Sequence, residues 1–496
     1  MIVGAGQVVE RIGAADYAAL PAAELAARAA CVALADCGAE VRPSLLAAVR
    51  TFEDSGVGVS PLGRPDRFPL ALARRLGLAP QRTIYGPVGG DSPAALLVEL
   101  GQRIVAGEGD VALLVGAEAI STTRHLLAGD GERPDWSEHD EGAVDDRGAR
   151  LEGMLSAEAI AHGLLAIPAI HGLFENARRG RLGLSRAAYA ARMGELFAPF
   201  TKVAAANPHS AAAMPVMRAE ELVTPGERNR LVADPYPLRL VARDQVNQGT
   251  ALVVMEEGAA RAAGIDPAHF VYLAGAAQAA SPEPLSRAEL GTYPAADAAI
   301  GAALAGADCG VDGIDHFDFY SCFPIAVFAP AVDGLGLAPD DPRGLTVTGG
   351  LPFFGGPGNN YALHALAEMV GRLRGRAGAR GLVGANGGVL SKYAAVVLAS
   401  ARAQWAGWSA CAPDHRPAPV LAGAPDGAGR IESFAVHYAR GVPALGVAVG
   451  QTANGARFIA NPADPETLAR MVADDPLGAP VALSTVEGKG RFVFAA

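Results

Sequence analysis

A glycine-rich loop, an amphipathic helix and a strongly apolar strand follow one another twice in this sequence. In the first set, loop 88–93 precedes a helix and strand 110–116, and the apolar helix positions are Leu96, Leu97, Leu100 and Ile104. In the second, loop 355–360 precedes a helix and strand 381–388, and the apolar positions are Leu363, Leu366, Met369, Val370 and Leu373. Such apolar strands are typical of sheets covered on both faces, so the pattern predicts an α/β core built from two similar halves. Two ordinary βαβ units in one α/β protein would give the same pattern, and the pattern alone leaves both interpretations open.

The first of these helices has two candidate capping residues. Asp91 or Ser92 can accept a hydrogen bond from the first turn, and Pro93 suits a first-turn position. Ser92 is also a candidate nucleophile, but the sequence pairs no histidine with it, so capping is the simpler interpretation.

The rest of the chain predicts two further units. Residues 120–225 are helical with arginine-rich turns, as in an inserted domain, and a proline-rich linker follows at 411–425. Short strands then follow at 444–449, 456–459 and 491–494, which predicts a small antiparallel barrel. The predicted domains are 1–119 with 226–265, 120–225, 266–408, and 409–496.

Composition excludes several classes of protein. The 496 residues are 50% hydrophobic, enough for a large core, and the net charge of −11 lacks the basic face of a nucleic-acid protein. No apolar run is long enough to span a bilayer and no signal peptide is recognisable, so we expect a cytoplasmic protein. The five cysteines fit neither a disulfide framework nor a metal site.

Five landmarks, in order, resemble the thiolase superfamily. They are segment 90–118, strand 231–254 with Val246-Asn247-Gln248-Gly249, turn 315–323, loop 349–361, and loop 384–388. The phrases at 318–324 and 349–361 are more narrowly similar to type 1 thiolase-like proteins, which carry an extra C-terminal domain. The tail also resembles the OB-fold partners of thiolase-like acyl-CoA lyases. The resemblance implies a thiolase fold: duplicated α/β halves, an inserted helical loop domain and a C-terminal OB-like β-barrel.

The resemblance also shows what the catalytic positions lack. Thiolases use a nucleophilic Cys, a His, a second Cys, and an Asn or His that orders a water. Alignment places Gly90, Gly356, Gly384 and Tyr320 there, so we expect no thiolytic cleavage through an acyl-cysteine. Some thiolase-like retro-aldolases carry a tyrosine on this turn, so Tyr320 is either a proton donor or acceptor or a space-filling residue. Cys322 is interpreted as a buried packing residue.

The same resemblance implies coenzyme A or an acyl-CoA as ligand, with no covalently bound cofactor. The three glycines would leave backbone N–H groups facing the pocket. The helix N-terminus beside Gly90 and Asp91 is then a candidate site for the oxyanion of a thioester, although Asp91 adds an opposing charge. Candidates for holding a carbonyl or a water are Asn359, Asn360 and Asn386, although asparagine also suits turns. Candidates for the coenzyme phosphates are Arg178, Arg179 and Arg181, unless they form a solvated surface turn. Four histidines are weaker candidates: His139, His171, His209 and His364.

Two functions from different classes follow. The first is an acyl-CoA-binding enzyme of the thiolase-like acyltransferase group with degenerate catalytic positions. If it is active, acid/base chemistry at a C–C bond is expected, for example retro-aldol cleavage of a β-hydroxyacyl-CoA with Tyr320 moving the proton. The second is a catalytically inactive CoA-thioester binder or scaffold. A homodimer and a partner protein from acyl-CoA metabolism are both compatible with the sequence.

Overall fold

The structure, a computed structural model, describes residues 1–56, 60–149, 153–405, 407–413 and 416–495. Two residues of the predicted linker, 414 and 415, lie outside the described residues. The strands are β1 Ile2–Val9, β2 Leu45–Ala48, β3 Arg82–Tyr85, β4 Val111–Ala119, β5 Asp145–Asp146, β6 Leu231–Ala233, β7 Tyr236–Pro237, β8 Asn247–Met255, β9 Tyr272–Ala280, β10 His316–Phe319, β11 Arg380–Gly387, β12 Lys392–Ala399, β13 Gly427–Ala439, β14 Val442–Thr452, β15 Arg457–Pro462, β16 Pro480–Val486 and β17 Lys489–Phe494. The α-helices are α1 Ala22–Asp36, α2 Phe68–Arg75, α3 Ser92–Val105, α4 Ile120–Ala128, α5 Ala157–Ala161, α6 Ile167–Arg181, α7 Arg186–Ala206, α8 Ala219–Val223, α9 Glu257–Ala262, α10 Pro294–Gly306, α11 Ile325–Val327, α12 Tyr361–Leu373 and α13 Pro465–Ala473.

The two halves of the core repeat one strand order. In the first half, β2 runs parallel to β4, and β4, β8 and β1 follow in antiparallel pairs. In the second half, β10 runs parallel to β11, and β11, β12 and β9 follow in antiparallel pairs. Because topology and pairing direction agree strand by strand, the predicted duplicated thiolase-like core is confirmed.

Two helices lie between the sheets at equivalent places. Helix α3 packs on β4 and α12 packs on β11, and both are buried along most of their length. Strand β4 is buried from Ala112 to Ala119 because helices cover both faces of its sheet, as its unbroken apolar run predicts.

The C-terminal region closes into a five-stranded barrel. Strands β13, β14, β15, β17 and β16 pair in that order, and β16 returns to β13. The predicted C-terminal barrel is therefore present, with α13 connecting β15 to β16. The expectation of a purely antiparallel barrel was wrong, because β15 and β17 run parallel.

The barrel is joined to the rest of the molecule by buried polar contacts. Arg457, 2% exposed, donates to the carbonyl oxygens of Leu285, Arg287 and Ala288 in the second half. Strand β13 also pairs with β6 next to the inserted helices α4–α8. Among the described residues, no helix has the length and apolarity needed to cross a bilayer.

Candidate functional site

The four thiolase-equivalent positions lie on four segments of the core. Gly90 lies in the loop before α3, Tyr320 directly follows β10, Gly384 lies in β11, and Gly356 lies in the loop before α12. Phe319 and Gly384 are partners in the parallel pairing of β10 and β11, so Tyr320 leaves the sheet beside Gly384. We call Gly90, Asp91, Tyr320 and Asn386 the Gly90 centre.

The space next to Gly90 is filled. A Cβ at Gly90 would collide with the Tyr320 hydroxyl and lie 2.5 Å from both Tyr320 Cζ and the Asn386 carbonyl oxygen. The phenol of Tyr320 therefore lies where the side chain of a nucleophile would begin.

Gly384 is filled in the same way, whereas Gly356 is not. A Cβ at Gly384 would overlap the Tyr393 hydroxyl, which is buried and has no hydrogen-bond partner among the described residues. A Cβ at Gly356 would meet its nearest atom, the Arg243 carbonyl oxygen, at 3.2 Å. Two of the three vacated positions are thus occupied by tyrosines from elsewhere in the chain.

Tyr320 is placed to donate a proton rather than to accept one. Its side chain is 7% exposed, and its ring packs edge-on against Tyr361 with centroids 5.3 Å apart. Burial raises the pKa of the Tyr320 phenol far above its ordinary value, and Cys322 and Asp91 add to the shift. At neutral pH the hydroxyl is therefore protonated.

Asp91 precedes α3 but does not cap it. No side-chain hydrogen bond caps this helix; instead, Gln278 Nε2 donates to Asp91 Oδ2 over 2.9 Å. Asp91 Oδ1 is buried, has no partner among the described residues, and lies where a Cβ at Gly89 or Gly387 would be. Burial raises the pKa of Asp91, and this rise is opposed mainly by Lys392. The result is a buried carboxyl group with one free oxygen beside Tyr320.

Ser92 is the first residue of α3, not its capping residue. Its side chain is 1% exposed and its Oγ has no hydrogen-bond partner among the described residues. The predicted cap is therefore absent at this position too. Among the described residues, no base forms a hydrogen bond with Ser92 Oγ. The structure therefore does not support Ser92 as a nucleophile.

Asn386 faces the centre from β11. Tyr293 Oη donates to Asn386 Oδ1 over 2.7 Å, and Asn386 Nδ2 lies 3.7 Å from Cys322 Sγ. Burial raises the pKa of the Cys322 thiol to about 12, so it stays protonated, in line with a packing role.

Asn359 and Asn360 connect the two halves instead of lining an open pocket. Asn359 Oδ1 accepts from the Gly89 N–H over 3.0 Å, and its Nδ2 donates to the Arg50 carbonyl oxygen over 2.9 Å. Asn360 is 1% exposed, and neither atom of its amide group has a partner among the described residues.

The three candidate arginines lie in the last turn of α6 and are already paired. Arg178, 4% exposed, donates twice to Asp333, which also accepts from Arg181. Arg179, 1% exposed, donates twice to Asp475 of the barrel region. The prediction of an arginine-rich turn was wrong, and these ion pairs disfavour the predicted phosphate contacts.

The candidate histidines do not converge on the Gly90 centre. His171 is buried and stacks on Phe323 with ring centroids 4.2 Å apart, and burial lowers its pKa to about 4. His364 Nδ1 lies 2.7 Å from Gln7 Oε1. His139 pairs with Asp66 and His209 with Glu368.

Several neighbours of the centre are absent from the sequence-based prediction. These neighbours lie outside every matched motif. They are Gln278 in β9, Lys392 and Tyr393 in β12, and Tyr293 directly before α10. The strand register could have indicated Tyr393, because Asn386 and Tyr393 are partners in the β11–β12 pairing. Among the described residues, no three metal-ligating side chains come together as a metal site requires.

The duplicated core with its catalytic-position loops defines the class of thiolase-fold proteins. A structure of acetyl-CoA acetyltransferase from Syntrophomonas wolfei aligns with a TM-score of 0.52 at 15% identity, over 81% of this chain and 98% of that chain. An Ltp2-ChsH2(DUF35) aldolase aligns with a TM-score of 0.57 at 19% identity, over 80% and 97%. At these identities the two structures show the fold alone.

A crystal structure of a monomeric SCP2-thiolase like protein type 1 from Mycobacterium smegmatis is much more similar. It is 38% identical over 100% of this chain and 98% of that chain, with a TM-score of 0.83. The model of the thiolase-like protein type 1 additional C-terminal domain matches residues 412–487. The chain therefore belongs to the type 1 thiolase-like proteins, as the sequence motifs indicate. No curated protein matches it.

Proposed function

We propose that this protein binds a coenzyme A thioester at the Gly90 centre and makes or breaks a C–C bond beside the thioester by proton transfer. One observation carries the proposal: the Tyr320 phenol lies where the thiolase nucleophile would begin, in the same centre as Asp91, whose buried Oδ1 has no hydrogen-bond partner among the described residues. No acyl-cysteine is involved, because glycine lacks the side chain that would be acylated. All five cysteines are free thiols, which fits the proposed cytoplasmic location.

Retro-aldol cleavage of a β-hydroxyacyl-CoA suits this pair of groups. Asp91 takes the β-hydroxyl proton, the C–C bond breaks, and its electrons pass to the thioester as an enolate. Tyr320 protonates the α-carbon, which releases an aldehyde or ketone and a shortened acyl-CoA; the Asp91 proton then restores the phenol. One of the structures with this fold is named an aldolase.

A second candidate function, a non-catalytic thioester binder or scaffold, is favoured by the packing. The Gly90 centre is closely packed: Tyr320 is 7% exposed, and tyrosines fill the space beside Gly90 and Gly384. A substrate would have to displace these side chains to reach the phenol, whereas a binder without turnover needs no contact with it.

The deciding experiment follows binding and turnover separately. Thermal unfolding is recorded with coenzyme A, acetyl-CoA and a β-hydroxyacyl-CoA, because a ligand at about 100 times its Kd stabilises by about 2.7 kcal/mol. Mass spectrometry then detects the aldehyde and the shortened acyl-CoA. Binding without products supports the scaffold, and the absence of any thermal shift would reject both functions.

Tyr320→Phe tests the assigned proton donor. We expect turnover to fall about 10²- to 10⁴-fold while thioester binding is retained. Tyr272→Phe is the matched control, because Tyr272 lies at the far end of β9 from Gln278 and should leave turnover unchanged. Equal turnover in the wild type and Tyr320→Phe would remove Tyr320 from the mechanism.

A further inference from the structure

A cavity of about 450 Å³ lies between the loop 281–294, the start of α10 and the chain leading to the barrel. It opens to solvent beside Asp297, Ala412 and Arg416, all of which are exposed. Its lining includes the hydroxyl residues Ser281, Ser286 and Thr292. None of its lining residues belongs to the Gly90 centre.

The buried side of the cavity carries a positive charge that forms no salt bridge with a carboxylate among the described residues. Arg287 lines the cavity and is 5% exposed. Its Nε donates to the Pro282 carbonyl oxygen over 2.9 Å, and its Nη2 donates to that of Val389 over 3.0 Å. Its Nη1 has no hydrogen-bond partner among the described residues.

The surroundings hold this guanidinium in place. It lies over the Phe174 ring, 4.6 Å from the centroid. The backbone that carries it is fixed by Arg457, which donates to the carbonyl oxygens of residues 285, 287 and 288. Burial lowers the pKa of Arg287 to about 10, so the group is still charged at neutral pH.

The nearby carboxylates have other hydrogen-bond partners: Glu283, which raises the pKa of Arg287 through its charge, accepts from the Leu285 N–H and from Ser286 Oγ. Glu289 pairs with Arg416 at the solvent side, and Asp297 is exposed there. A guanidinium that lines a cavity and forms no salt bridge among the described residues is an arrangement that an anionic oxygen ligand completes, because guanidinium binds carboxylates and phosphates through its N–H donors.

We propose that this cavity is a binding site for a small organic anion, a carboxylate or a phosphate, held by Arg287. The ligand's charged end meets the guanidinium, and the remainder extends past Thr292 and Ala298 towards solvent. The site does not depend on thioester chemistry, since it can be occupied in a chain that turns over no substrate.

The test is calorimetric titration of the full chain with inorganic phosphate, with glutarate and with the neutral diamide of glutarate, all at constant ionic strength. We expect phosphate or glutarate to bind and the diamide not to bind. Binding of phosphate alone identifies a phosphate-bearing ligand, and binding of glutarate alone identifies a carboxylate. No binding of either anion, or equal binding of the diamide, would overturn the proposal.

Two variants separate the site from general charge effects. Arg287→Gln should weaken anion binding at least tenfold. Because this change also alters buried hydrogen bonds, Ala298→Phe provides a second variant that fills the cavity and keeps the guanidinium; it should abolish binding. Ala302→Phe, one turn along α10 and outside the cavity, is the control and should bind as the wild type does. Unchanged affinity in Ala298→Phe would overturn the proposal even if Arg287→Gln fails to fold.

Discussion

At the scale of single residues, Gly90 and Tyr320 depend on each other. We expect Gly90→Ala to destabilise the protein by about 1–3 kcal/mol, because its Cβ would lie 2.5 Å from the Asn386 carbonyl oxygen and would press on the Tyr320 phenol. Tyr320→Ala in the same chain should recover part of this loss and not all of it, since the backbone oxygen remains. Urea denaturation of the single and double variants measures both effects.

Gly301 provides the matched control. It lies inside α10, and a Cβ there would meet no atom within 4 Å. Gly301→Ala should therefore stabilise the protein by about 0.5–1 kcal/mol, since alanine loses less backbone freedom in a helix. Equal effects of the two Gly→Ala changes would contradict the packing described for Gly90.

The reactivity of Cys322 tests whether the Gly90 centre stays closed in solution. Burial raises the pKa of Cys322 to about 12, whereas Cys31 is exposed on α1. Iodoacetamide at pH 8 should therefore alkylate Cys31 and leave Cys322 unmodified in the folded protein, as peptide mass spectrometry can show. Rapid modification of Cys322 would mean that the centre opens readily.

The sequence predicted which segments meet at the site better than it predicted the packing and hydrogen bonding of their side chains. The resemblance to thiolase motifs placed Gly90 and Tyr320 at one centre, and the structure brings these two residues together. The tyrosine that fills Gly384 comes from another strand, and the missing cap at Asp91 reflects Gln278 on β9. Such contacts depend on long-range packing, which local pattern does not contain.

At the scale of elements, β15 fixes the loop 285–288 through one side chain. Arg457→Met should lower the free energy of unfolding by about 2–4 kcal/mol, because it removes the donor that these buried carbonyl oxygens share. Arg42→Ala is the control: Arg42 is exposed and pairs with exposed Glu40, so its loss should change stability by at most about 0.5 kcal/mol. Chemical denaturation compares the two variants, and equal effects would refute the role given to Arg457.

Helices α6 and α7 are joined at the buried carboxyl group of Glu175, whose raised pKa makes stability depend on pH. Glu175 accepts from Tyr189, Tyr236 and the Ile325 N–H, and burial raises its pKa from 4.5 to about 7. Because the folded chain holds this proton more tightly than the unfolded chain, the free energy of unfolding should fall as pH rises from about 4.5 to about 7. Denaturation across this range should show a weaker pH dependence in Glu175→Gln, and identical slopes would contradict the assignment.

At the scale of the whole molecule, the outer edge of the first sheet is partly covered by the chain itself. Strand β5 pairs with Ile84 and Tyr85 of β3, and the Arg147 N–H donates to the Tyr85 carbonyl oxygen over 3.0 Å. An edge strand covered in this way offers few free groups for pairing with a second copy. We therefore expect a monomer near 50.5 kDa by light scattering, and a dimer would show that another surface associates.

The overall architecture was predictable because its determinants are local and repeated. Apolar runs at 110–116 and 381–388 and the loops before α3 and α12 indicated two similar units, and the resemblance to thiolases chose the duplicated core over two ordinary βαβ units. The parallel pairing of β15 with β17 was missed, since it joins segments separated by α13 and carries no local pattern. The predicted domain boundaries remain predictions.

The filled positions beside Gly90 and Gly384 also bear on how such a chain can evolve. A single change of either glycine to cysteine would introduce a side chain into space that a tyrosine already occupies. A cysteine nucleophile at Gly90 would therefore require paired substitutions in distant parts of the gene, with a less stable intermediate between them. We therefore expect substitutions elsewhere in the Gly90 centre to be tolerated more readily than a change of either glycine to cysteine.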